Sequence, residues 1–141
     1  MPGESDTPGL LAAAMECHQA GDLDRAEQLY RKIIKIDRLN DNALNLLGVI
    51  ALARGDIEAA IRYIGKAVSL DPTAGEFRFN LGKAFEANAQ VAEAIKHYQM
   101  AIQAKLKYVP AYLGLSDLYA ELDQVNDAKR ILEQGLKANP S

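Results

Sequence analysis

Apolar residues in this chain recur at helical spacing in short runs, and each run ends at a turn signal. One run covers residues 43–51 and a second covers 57–67, each with the period of an amphipathic helix. Arg54-Gly55-Asp56 separates the two runs. Gly55 can adopt a positive φ just after one helix, and Asp56 can cap the next. The pattern therefore predicts two helices joined by a tight turn.

The same turn signal recurs along the chain. Gly21-Asp22 repeats it closely, whereas Ala89-Gln90 and Asp123-Gln124 are poorer versions of it. Because Ala and Asp adopt a positive φ less readily than Gly, we expect looser turns at the last two places.

Prolines mark the helix ends. Pro8 and Pro110 suit the first turn of a helix, and Pro72 and Pro140 suit positions just beyond one. No stretch alternates apolar and polar residues for long enough to indicate a strand. The predicted fold class is all-α.

The chain also matches itself when it is shifted by 34 residues. The matching positions carry a leucine in three units, a glycine in two and an alanine in all four: Leu47, Leu81 and Leu115; Gly48 and Gly82; Ala26, Ala60, Ala94 and Ala128. Four units follow, 7–40, 41–74, 75–108 and 109–141, after a flexible N-terminus of residues 1–6. A period of this length is typical of stacked repeats that form one continuous domain.

Small residues at repeated positions indicate how the helices pack. Gly48 and Gly82 lie within apolar runs, where they allow the two helices of a hairpin to approach closely. Larger side chains are expected to fill the space beside the small residues: Tyr30, Ile64, Tyr98 and Leu132.

These landmarks resemble the tetratricopeptide repeat (TPR). The second unit has Leu47-Gly48 in its first helix, Ala60 in its second and Pro72 at its end; the other three units keep parts of this pattern. The resemblance covers essentially the whole chain. It implies an α-solenoid of four helix-turn-helix repeats, wound as a right-handed superhelix with the first helices lining a concave groove. It also implies a scaffold or adaptor that binds a peptide or helix of a partner protein.

In this register, a set of side chains on the first helices should face the groove. The candidate binding residues are Met15, Asn45, Val49, Leu52, Phe79, Asn80, Lys83, Glu86, Leu113 and Asp117. The N-terminal half of this set is mainly apolar, and the C-terminal half carries more carboxylates than cations. We therefore expect a ligand with apolar anchors and one or two basic residues. Alternatively, the apolar members only pack between repeats and the acidic members form a solvated face.

Two other functions stay open. The chain can be a regulatory or substrate-docking segment of a larger protein, enzymes included. It can also assemble with itself as a weak homo-oligomer, because the last predicted helix carries apolar residues that no further repeat covers: Ile131, Leu132 and Leu136.

Composition and motifs exclude several functions. Sixteen basic and nineteen acidic residues give a net charge of −3, without the basic stripe that nucleic acid requires. Cys17 is the only cysteine, and it fits a core position better than a nucleophile; His97 is expected on the convex surface. No phosphate-loop, metal-ligand or nucleophile motif is present. The sequence thus predicts no enzyme, no cofactor and no metal. With no secretory signal and no membrane-spanning run, we expect a cytoplasmic protein.

Overall fold

The computed structural model describes residues 6–140, and within that range the chain is α-helical without strands. Its helices are α1 (Thr7–Gln19), α2 (Leu23–Ile36), α3 (Asp41–Ala53), α4 (Ile57–Leu70), α5 (Gly75–Ala87), α6 (Val91–Ala104), α7 (Val109–Glu121) and α8 (Val125–Ala138). The helices pack in antiparallel pairs: α1 with α2, α3 with α4, α5 with α6 and α7 with α8. The predicted all-α fold is confirmed.

The first helix of each pair begins 34 residues after the previous one, at Thr7, Asp41, Gly75 and Val109. The repeat boundaries themselves remain a prediction. Residues 1–5 of the predicted flexible N-terminus lie outside the described range, and Asp6 caps α1 by accepting a hydrogen bond from the Gly9 amide at 3.0 Å.

The chain divides into two compact units, Met1–Asp71 and Pro72–Ser141, called here the N-terminal and C-terminal units. Each contains a hydrophobic core. The N-terminal core consists of Ala14, Ala26, Tyr30, Ile33, Ala43, Leu47 and Ile50. The C-terminal core consists of Ala94, Tyr98, Tyr112, Leu115, Leu118, Tyr119, Ala128 and Ile131.

Close helix contacts explain the two glycines singled out in the sequence. A methyl group added to Gly48 would overlap Ile64, and one added to Gly82 would lie 2.8 Å from the Tyr98 ring. Tyr30, Ile64 and Tyr98 are fully buried or nearly so, as expected. Leu132, at the equivalent position of α8, is 42% exposed.

The turns correct a second expectation. Gly21 and Gly55 adopt φ of 84° and 82°, and Ala89 and Asp123 adopt nearly the same conformation, with φ of 60° and 59°. In all four turns, the amide of the residue after the positive-φ position donates to a carbonyl in the last turn of the preceding helix, at 2.8–2.9 Å. The last two turns are therefore not looser. Instead, residues with a Cβ occupy a backbone region that glycine prefers.

His97 is also placed differently from the prediction. It is 8% exposed rather than on the surface, and its ring stacks on Phe85 with centroids 5.3 Å apart. Its Nδ1 lies 3.4 Å from Arg78 Nη1. Burial, followed by the nearby Arg78 charge, lowers the pKa of His97. The apolar ring of Phe85 on the preceding helix covers a side chain that periodicity alone assigned to solvent.

Candidate functional site

A cleft of about 380 Å³ lies between α5 and α7 of the C-terminal unit. It is lined by Phe79, Lys83, Glu86, Tyr98, Pro110, Leu113, Gly114, Asp117 and Glu121. This α5–α7 cleft contains five of the ten candidate binding residues: Phe79, Lys83, Glu86, Leu113 and Asp117. Asn80 does not line it.

Aromatic rings form the base of the cleft. The Phe79 ring lies 5.7 Å from that of Tyr98 and 5.6 Å, edge to face, from that of Tyr108. Gly114 lies directly against two of these rings, since a Cβ there would be 3.2 Å from Phe79 and 3.3 Å from Tyr98. The missing side chain allows α7 to approach the rings closely and leaves an apolar floor beside Leu113.

Carboxylates dominate the rim. Glu86, Asp117 and Glu121 line the cleft with a single cation, Lys83, whose Nζ lies 5.6 Å from the centroid of the Phe79 ring. Tyr98 donates a hydrogen bond of 2.7 Å to Glu86 Oε1. Burial, that hydrogen bond and the three carboxylates raise the pKa of Tyr98. The hydroxyl therefore stays protonated and holds Glu86 at the edge of the aromatic floor.

The remaining candidates lie in the N-terminal unit and are only partly available. Met15 is 41% exposed, and Val49 and Leu52 are half-buried. Asn45 is only 6% exposed, so the prediction that it faces a ligand is wrong. It lies on α3, which packs against both α2 and α4, and this short side chain is covered there.

Four residues that line the cleft are not among the ten sequence candidates: Tyr98, Pro110, Gly114 and Glu121. Tyr98 comes from a second helix, whereas the repeat register places only first-helix residues in the groove. The sequence predicts helix initiation for Pro110 and no role for Gly114. Gly114 carried a usable signal, because an unexplained glycine inside an apolar helix often marks a close contact.

A second apolar surface lies at α7 and α8. This terminal hollow, about 420 Å³ in volume, is lined by Val109, Tyr112, Leu113, Leu132, Gly135, Leu136 and Asn139. Leu132 and Leu136 are 42% and 69% exposed, as expected for the predicted self-association surface. Ile131 is 5% exposed, so its assignment to that surface is wrong: its side chain belongs to the C-terminal core.

His18 and Cys17 lie against residues of the N-terminal unit. His18 Nδ1 lies 3.2 Å from the Tyr30 hydroxyl, and burial lowers the pKa of His18. Cys17 is half-buried against the N-terminal core. Among residues 6–140, no three His, Cys, Asp or Glu side chains cluster as metal ligands would. No helix in that range is long and apolar enough to cross a membrane.

Family comparison identifies the repeat. The sequence model described as tetratricopeptide repeat matches residues 11–72 and 45–106, and a second model of the same description matches 85–141. The chain belongs to the tetratricopeptide-repeat family. The predicted TPR fold is confirmed, and the TPR family suggests a role in protein interaction.

Solved structures agree with this assignment. MamA matches 96% of this chain and 80% of its own with a TM-score of 0.84 at 19% identity. A thermophilic TPR protein of Thermus thermophilus matches 96% of this chain and 75% of its own, with a TM-score of 0.83 at 20% identity. At such identities the likeness shows the fold alone.

A curated relative places the same repeats inside a far longer protein. This is the probable UDP-N-acetylglucosamine–peptide N-acetylglucosaminyltransferase SPINDLY of Hordeum vulgare, 30% identical over 132 residues. The match covers 88% of this TPR chain but only 14% of the relative.

Proposed function

We propose that this TPR protein is a non-catalytic adaptor that binds a peptide or helix of a partner protein in the α5–α7 cleft. The observation that carries the proposal is the aromatic floor bordered by three carboxylates and one lysine. An apolar side chain entering this cleft would gain contact with Phe79 and Leu113, and burial of apolar surface supplies affinity.

The rim specifies the kind of ligand. Its carboxylates outnumber its cation by three to one, so the ligand carries one or two arginines or lysines beside the apolar anchor. Lys83 sits against the Phe79 ring, the position that a ligand cation would also favour. A groove of this size supports a Kd on the order of micromolar.

Isothermal titration calorimetry with peptides that combine leucine and arginine tests the proposal. Phe79→Ala removes the floor, and Glu86→Lys reverses a rim charge; both should weaken binding, and Glu86→Lys should weaken it more at low salt. Asp117→Asn is a gentler rim change at an exposed position, and Glu133→Gln on α8 is its matched control outside the cleft. Unchanged binding in Phe79→Ala and Glu86→Lys would remove the cleft assignment.

A second candidate is a docking segment of a larger protein. It is favoured by the match to 14% of a probable glycosyltransferase. On this proposal too the chain contributes binding rather than catalysis. If the chain alone transferred N-acetylglucosamine from its nucleotide donor to a peptide, the non-catalytic assignment would be wrong.

A third candidate is self-association through the terminal hollow. Of the eleven large apolar side chains that are exposed among the described residues, four line this hollow: Val109, Leu113, Leu132 and Leu136. Their concentration on one surface favours a protein contact there. Sedimentation of the chain over a range of concentrations tests whether it associates at all.

A further inference from the structure

The terminal hollow has a counterpart inside the C-terminal unit that is already occupied. A shift of 34 residues places α5 and α6 on α7 and α8, so that Phe79 corresponds to Leu113 and Tyr98 to Leu132. Helix α7 packs against both α5 and α6. The hollow is therefore the equivalent of the surface that α7 covers, and its geometry suits a helix lying as α7 does.

Helix α7 shows what the occupant of the hollow requires. It has a glycine, Gly114, where it meets Phe79 and Tyr98, and any larger residue there would press on the rings. The occupant of the hollow thus needs a small residue facing Leu113 and Leu132.

Helix α1 meets this requirement. It precedes α7 by three periods, or 102 residues, which places Pro8 at the position of Pro110 and Ala12 at that of Gly114. Both Pro8 and Ala12 are exposed. Ala12 adds one methyl group relative to Gly114, and Leu132 in place of Tyr98 leaves room for it.

Charge supplies a second match at the next helical turn. Within the C-terminal unit, Leu118 is buried in the core, and Ile95 packs against that core from α6. Because α7 runs antiparallel to α6 and Gly114 meets Tyr98, Leu118 lies one turn further along, beside the turn that contains Ile95. Their counterparts are Glu16 on α1 and Lys129 on α8, both exposed. The corresponding positions on α1 and α8 thus carry opposite charges where the C-terminal unit has two apolar residues in or against its core.

We propose that helix α1 of a second copy of this chain docks in the terminal hollow, with Ala12 against Leu132 and Glu16 beside Lys129. This proposal rests on the third candidate function, self-association, and names the helix that occupies the hollow. The contact is heterologous, since it uses two different surfaces, and so each copy retains one free surface for a further copy.

Analytical ultracentrifugation of the full chain at low salt provides the first test. The wild type should associate as its concentration rises. Leu132→Glu, which introduces a charge into the hollow, and Ala12→Tyr, which blocks the close approach, should each abolish association. Both positions are exposed, and circular dichroism would verify that the variants fold.

Charge exchange provides the sharper test. Glu16→Lys and Lys129→Glu should each weaken association on the order of threefold to tenfold, because a like-charge pair replaces an attractive one. The double variant should recover wild-type affinity, while Lys66→Glu, an exposed lysine on α4, should leave it unchanged.

The outcomes separate the two levels of the proposal. A wild type that stays monomeric at all concentrations would overturn both self-association and the docking of α1. If Leu132→Glu abolishes association but Ala12→Tyr and the charge exchange do not alter it, the hollow is a contact surface with an occupant other than α1. Peptide binding in the α5–α7 cleft is measured separately by calorimetry, so neither result would overturn that proposal.

Discussion

The two units begin their helices in different ways. In the N-terminal unit, a side-chain oxygen of Asp6, Asp22, Asn40 or Asp56 caps the start of each helix. In the C-terminal unit the corresponding residues make no such hydrogen bond: Ala74, Gln90, Tyr108 and Gln124. The helices of the N-terminal unit thus begin with capping residues, and those of the C-terminal unit begin with residues that do not cap them. In the second unit, tertiary packing has to supply what capping does not.

The unit with the weaker local signals is also the one that contains the α5–α7 cleft and the terminal hollow. The residues that define a repeat and the residues that define a binding surface are therefore distinct sets. The capping difference also predicts that the N-terminal unit is more resistant to local opening. Amide hydrogen exchange reads each unit separately, which global unfolding of a repeat protein does not.

The largest expected effect concerns the close approach of two helices at a glycine, which occurs within each unit. Gly48→Ala should destabilise the protein by about 1–3 kcal/mol, because the added methyl overlaps Ile64 across a fully packed interface. Chemical denaturation would measure the loss. Gly65→Ala on α4 is the matched control: its Cβ would meet nothing within 4 Å, so it should stabilise by about 0.5–1 kcal/mol. Destabilisation by both variants would contradict the packing explanation, because helix propensity favours alanine and the added Cβ at position 65 meets no neighbour.

Capping comes next. Asp56→Ala should cost about 1 kcal/mol, because the Ala59 amide loses its carboxylate acceptor at 3.3 Å. Introducing a cap by Gln124→Asp should stabilise α8 by a similar amount, about 1 kcal/mol. Exchange rates in α4 and α8 would register the two changes with opposite signs. If the exchange rates changed in the same direction in both variants, capping would not explain a difference in stability between the units.

The turn residues give a somewhat smaller effect. Ala89→Gly should stabilise the C-terminal unit by about 0.5–1 kcal/mol, since glycine adopts φ near 60° without the steric cost of a Cβ. Gly55→Ala should destabilise by about 1 kcal/mol through conformation alone, because its Cβ would contact nothing within 4 Å. Thermal unfolding measures both. A loss of stability in Ala89→Gly would mean that the alanine is not strained.

The smallest effect is a pH dependence. The folded pKa of His97 is lowered by burial and by Arg78, so at low pH the unfolded chain takes up a proton more readily than the folded one. Stability is therefore complete above the ordinary value of 6.5 and falls as the pH drops through and below it. His97→Phe should flatten this slope, measured by denaturation between neutral and mildly acidic pH. His18→Phe serves as the comparison in the N-terminal unit, where burial lowers the pKa in the same direction.

The sequence was sufficient for the repeat and for part of the cleft. Period and turn signals predicted the hairpins, because a 34-residue match constrains every helix at once. The helical register predicts five cleft residues, because each lies on the groove-facing side of a first helix: Phe79, Lys83 and Glu86 on α5, and Leu113 and Asp117 on α7. It does not predict Tyr98, since the Tyr98 hydroxyl reaches the cleft from a second helix by way of a hydrogen bond to Glu86.

Other errors have physical causes of the same kind. Local preference disfavours a positive φ at Ala89 and Asp123, yet both residues adopt it, with the same hydrogen bond that closes the glycine turns. His97 and Asn45 are polar residues that neighbouring side chains and helices cover, and periodicity cannot register that coverage. Local rules therefore predicted the elements better than the burial of individual polar side chains.

Ligand recognition in the α5–α7 cleft can be tested by two-dimensional NMR titration of the wild-type chain with a short peptide of leucine and arginine. The largest shifts should occur at the amides of Phe79, Glu86, Gly114 and Asp117, and Asp117→Asn should reduce them. Saturable binding with the largest shifts in the N-terminal unit, around Met15 and Val49, would contradict it.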